Sequence, residues 1–91
     1  MKIVLQNGEE LNVTRINKTI TTENNEQVMI TFAKTADIEE IKGKITNENI
    51  SPQFVLKREG LDDKAYKGYS FQSAMEDVSE DSTNVTVTLT K

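Results

Sequence analysis

Cysteine and histidine are both missing from this chain, and the two absences remove most familiar catalytic and metal chemistry. Without cysteine there is no disulfide framework and no thiolate zinc site. Without histidine, Ser-His-Asp and Cys-His catalysis are excluded, and the commonest proton carrier near neutral pH is gone. Glycine is sparse: Gly8, Gly43, Gly60 and Gly68 lie far apart, so no phosphate-cradling glycine pattern exists. Two tyrosines and three phenylalanines are the whole aromatic content. No apolar run approaches transmembrane length, and the opening MKIVLQNGEE turns polar too soon for a signal peptide. The expectation is a non-enzymatic protein, cytoplasmic in the producing cell, with no catalytic, cofactor-binding or metal-binding residues and no membrane association.

What is present is a chain of 91 residues with 35% hydrophobic and 29% charged side chains, read as a single domain over residues 1–91 with a thin core. Ordered alternation of Val, Ile and Thr argues for a folded chain. The net charge is −4 at pH 7. The eleven basic residues are scattered, with only Lys57-Arg58 adjacent, which argues against nucleic acid as a partner.

The densest apolar stretch runs from Val28 to Ile45. Val28, Ile30 and Phe32 alternate with Met29, Thr31 and Ala33, the pattern of a strand. The period then lengthens, placing Ile38, Ile41 and Ile45 on one helical face. Thr35 or Asp37 can cap that helix, and Glu39 and Glu40 suit its positive end. Gly43 weakens it by roughly 1 kcal/mol relative to alanine, so the helix depends on packing.

Before this unit, Lys2–Gln6 and Glu10 to about Ile16 read as strands joined by Asn7-Gly8, a type I′ hairpin signal. Leu11 and Val13 share one parity, Ile16 and Ile20 the other, which predicts a bulge near Thr14-Arg15. Polar residues Glu23–Gln27 form a loop. After the helix, residues 47–52 connect to a strand at Gln53–Lys57, with Phe54 and Leu56 on one face. Tyr66–Phe71 reads as the next strand, with Gly68 marking a bulge or close backbone approach. Residues 72–82 fit either a short helical turn, from the spacing of Phe71, Met75 and Val78, or an irregular excursion. Asn84–Lys91 is a strand with Val85, Val87 and Leu89 inward and Thr86, Thr88 and Thr90 outward. The expected fold is α+β: a small, mainly antiparallel sheet of about six strands with one short helix after the third strand.

Four features of the sequence bear on function. The acidic pairs, including Asp77-x-Ser79-x-Asp81-x-Thr83, superficially match a calcium loop, but Ser82 and Thr88 stand where that loop needs glycine and a bidentate glutamate. A solvated acidic edge is the better reading. Tyr66, Tyr69 and Phe71 read as core, with Tyr66 having the best claim to exposure because its parity opposes the other two. Four Asn-x-Ser/Thr sequons are chance matches in an Asn- and Thr-rich chain. Exposed strand edges and threonine faces suit protein docking, which makes Tyr66, Thr86, Thr88 and Thr90 the candidate partner contacts.

The succession MKIVLQNGEELNV, VMITF, ADIEEIKGKITNENI, KGYSFQ and VTVTLTK resembles small uncharacterised proteins of phages and prophages of Gram-positive bacteria, in the virion structural or assembly region. That resemblance implies a protein-binding part in tail, baseplate or neck assembly, a location in the virion, and phage structural proteins or further copies of the chain as partners. It carries over no functional residues. Two alternatives stand beside it: a small acidic phage-type inhibitor of a host protein, needing carboxylates gathered on one face, and a carbohydrate- or surface-binding module, needing Tyr66 or Tyr69 exposed beside carboxylates.

Overall fold

The computed structural model describes residues 1–21, 23, 25–32, 37–78 and 83–91. It contains β1 (Lys2–Val4), β2 (Glu10–Ile20), β3 (Glu26–Phe32), α1 (Ile38–Lys44), α2 (Asn47–Ile50), β4 (Gln53–Lys57), β5 (Lys64–Lys67), β6 (Ser70–Val78) and β7 (Thr83–Thr90). All strands lie in one antiparallel sheet of order β5-β4-β1-β2-β3-β7-β6. The mainly antiparallel sheet agrees with the expectation, while the described residues form seven strands and two short helices.

The first hairpin forms where Asn7-Gly8 predicts it, with different turn geometry. Gly8 N–H donates to Leu5 O at 3.0 Å and Leu5 N–H to Glu9 O at 2.9 Å. The turn therefore spans Leu5–Gly8, and Gly8 closes it at φ +86, a left-handed conformation that glycine adopts without strain. This is a three-residue loop with a glycine bulge, not a type I′ turn. Asn7 steadies it by accepting from Glu9 N–H at 3.0 Å.

The β2 register shifts between Val13 and Arg15, leaving Thr14 as the extra residue, where the parity change predicts it. The bulge lets one strand serve two neighbours. Glu10–Asn12 pair with β1, and Val13 onward pairs with β3. Beyond it Ile16 packs on the core, but Ile20 is exposed at the strand end opposite Glu26.

One face of the sheet holds the core: Ile3, Val28, Ile30, Phe54, Val87 and Leu89 are among its buried residues. The helices cover part of it, with Ile41, Ile45 and Ile50 buried and Ile38 packed alongside. Asp37 caps α1, accepting from the N–H groups of Glu39 at 2.8 Å and Glu40 at 3.2 Å; Thr35 and Ala33 lie outside the described residues. Lys44 ties α1 to Glu9 at 3.0 Å and pairs within the helix with Glu40 at 2.9 Å. The expected plain connection over 47–52 is instead a capped turn of helix, with Asn49 N–H donating to Thr46 Oγ1 at 3.3 Å.

Two further departures share one cause. Tyr66–Phe71 is not one strand: Gly68, at φ +80, breaks it into β5 and β6, which are opposite edges of the sheet. Gly68 N–H donates to Pro52 O at 3.1 Å. Residues 72–78 are then neither helical nor irregular, because β6 runs to Val78 against β7. The apparent helical spacing dissolves in that register: Phe71 faces Leu89 over the core, and Met75 faces Thr86 on the other side. Ladder hydrogen bonds outweigh a three-residue apolar period. Among the described residues β5 and β6 do not pair, so hydrogen bonding does not close the sheet into a barrel. No described helix is long and apolar enough to cross a membrane.

Candidate functional site

The face of the sheet away from the core is built by cross-strand register. On β2, β3, β7 and β6, three rows of four residues lie side by side: Arg15–Thr31–Thr86–Met75, Asn17–Met29–Thr88–Ser73, and Thr19–Gln27–Thr90–Ser70. Arg15 is their only charged member. Thr86, Thr88 and Thr90 alternate with buried Val85, Val87 and Leu89. Each threonine is half-buried because neighbouring strands flank β7 on both sides. Thr31 and Thr86 hydroxyls meet at 3.5 Å, Thr14 Oγ1 donates to Thr31 O at 3.2 Å, and the Gln27 amide donates to Gln72 at 3.2 Å. Met29 is 41% exposed and Met75 68% exposed on this otherwise polar surface. A shallow groove of about 450 Å³ runs between Arg15, Met29, Thr86 and Asp77.

This face ends at β6, a nine-residue edge. Asn47 Oδ1 accepts from Phe71 N–H at 2.8 Å. Among the described residues, no strand pairs with the outer edge beyond that point. The opposite edge, β5, is only four residues long and carries Lys64 and Lys67, a short and charged edge of the kind that resists strand addition.

Tyr66 is not presented on the exposed outer face. It is 6% exposed and stacks on Phe54, with ring centroids 5.1 Å apart and planes 8° apart. Tyr69, 2% exposed, meets Phe54 edge-on at 6.4 Å. The parity argument for an exposed Tyr66 assumed a continuous strand, and the break at Gly68 turns both rings inward. The carbohydrate-module reading thereby loses its exposed aromatic ring. The acidic-inhibitor reading gains nothing either, since Glu9, Glu10, Glu26, Glu40 and Asp63 each pair with a lysine. Ser79 and Asp81 of the calcium-like pattern lie outside the described residues.

A second site was not evident in the sequence. Lys18, Lys64, Lys67 and Lys91 line one pocket with Glu26, Tyr66 and Tyr69. Tyr69 Oη donates to Glu26 Oε2 at 2.8 Å, and the same oxygen meets Lys18 Nζ at 3.5 Å and Lys91 Nζ at 3.7 Å. The Tyr69 hydroxyl bond, with help from the two lysines, holds the Glu26 carboxyl below its usual range. Burial, and then donation to the Glu26 carboxylate, push the Tyr69 phenol up to about 12. Lys64 Nζ sits 5.2 Å from the Tyr66 ring centroid and Lys91 Nζ 5.5 Å from that of Tyr69, within cation–π range. Separations such as the 43 residues between Glu26 and Tyr69 hid this cluster. The one usable signal was lysine beside tyrosine at 64–67.

No protein-family model, curated protein or solved structure matches the chain.

Proposed function

We propose that the chain is a non-enzymatic protein-binding module that acts in an assembly by accepting a partner strand along β6 and seating it beside the polar outer face. The single observation carrying this reading is the open outer edge of β6, a row of backbone donors and acceptors with nothing paired to it among the described residues beyond Phe71. Met75 and Met29 supply adaptable apolar contact next to that edge, and Thr88 and Ser73 supply hydroxyls. Glu76 and Asp77 near the end of β6 favour a partner strand that is neutral or basic there and oppose pairing with acidic strands. The resemblance to phage proteins supports a tail, baseplate or neck component as the partner and a virion as the place of action.

Photo-crosslinking in the producing cell tests this directly. A photoreactive residue in place of Ser73 is expected to give a discrete protein adduct, and one in place of Leu61, exposed on the β4–β5 connection, is expected to give none. Met75→Arg is expected to diminish the Ser73 adduct without unfolding the chain. No adduct from Ser73, or equal adducts from both positions, would contradict the assignment.

A further inference from the structure

We propose that the lysine pocket beside Tyr66 and Tyr69 binds a single dianionic phosphate group, either free or carried on a phosphorylated side chain. The inference is independent of the β6 edge and rests on charge, size and donor chemistry. Four lysines against one glutamate leave a local charge of +3 in a chain whose net charge is −4. Like charges repel and normally disperse over a surface, so this gathering from β2, β5 and the residue after β7 stores repulsion that an anion would relieve. Glu26 occupies Lys18 and Lys91. Lys64 and Lys67 form no ion pair among the described residues, and these two are the free donors.

The donors select the ligand. Lysine ammonium groups act as compact point charges with rotatable donors, so several converging on one small pocket suit a tetrahedral oxyanion that carries two charges better than a singly charged carboxylate. Every cation here is a lysine. The pocket volume, about 190 Å³, suits one such group with a few waters and leaves no track for a chain of phosphates. A nucleic acid would also meet the net negative remainder of the surface, and the tyrosine rings are too buried to stack on bases. Lys64 and Lys91 are already steadied over aromatic rings, so less side-chain freedom is lost on binding.

The test is an NMR titration of the full chain with inorganic phosphate, using chloride at matched ionic strength as the control. Saturable shifts confined to Lys64–Ser70, Lys18, Glu26 and Lys91 are expected. The double variant K64Q/K67Q is expected to bind about tenfold more weakly with an unchanged thermal midpoint, and K18Q repeats the test from another strand. A short peptide carrying one phosphoserine identifies the source. Tighter binding than inorganic phosphate points to a phosphorylated protein, and binding no tighter points to free phosphate. The proposal is overturned by shifts that do not saturate, by equal shifts with chloride, by unchanged affinity in both variants, or by a thymidine oligonucleotide that binds more tightly than phosphate with shifts spread beyond the pocket.

Discussion

Tyr69 joins the core to the charged rim of the pocket, and its titration exposes that role. Its folded pKa rises from 10.0 to about 12, so the fold favours the neutral phenol. That contribution to stability is complete below pH 10 and is lost as pH climbs towards 12. Glu26 is shifted the opposite way; its contribution is present above the ordinary carboxylate range and disappears as pH falls through its lowered folded value. Ultraviolet titration of the phenols should show a component from Tyr69 near 12, and Tyr69→Phe should abolish that component. An ordinary midpoint for Tyr69 would contradict the Glu26 contact. At this scale the sequence was a poor guide. The stacking of Tyr66 on Phe54 and the gathering of four lysines depend on where Gly68 breaks the chain, and residue spacing does not encode that break. The alternation of Thr86, Thr88 and Thr90 was legible because β7 has neighbours on both sides and its faces are sharply unlike.

The elements owe their stability to the sheet more than to themselves. Helix α1 has seven residues with Gly43 inside it, too few to persist alone; packing of Ile41 and Ile45 holds it. Ile41 is 5% exposed, so Ile41→Asp would bury an unpaired charge and should abolish cooperative thermal unfolding. A near-normal melting midpoint would refute the placement of α1. Gly43 has open space where a Cβ would go, and Gly43→Ala should raise stability by about 0.5–1 kcal/mol in chemical denaturation. Most elements could be read from periodicity, including the bulge at Thr14, because the inward parity of β2 changes there. Strand β6 could not. Its apolar residues are too few to declare a period, and pairing with β7 decides its conformation.

Across the whole molecule the two sheet edges are treated differently. One is short and lysine-bearing, and the other is long, with only Phe71 tied at its start among the described residues. The chain closes the distance between them with Gly68 and Tyr69 alone, and the lysine pocket lies beside that link. A partner strand on β6 and an anion in the pocket are separate events, so Met75→Arg should leave phosphate binding intact and K64Q/K67Q should leave the Ser73 crosslink intact. The claim that β6 is an open edge is tested most directly by residue-resolved amide hydrogen exchange on the dilute monomer. Alternate amides between Ser73 and Val78 should exchange at nearly unprotected rates, while those of β3, flanked by β2 and β7, stay slow. Uniform protection along Ser73–Val78 would mean that the edge is already covered, and the docking account would be wrong.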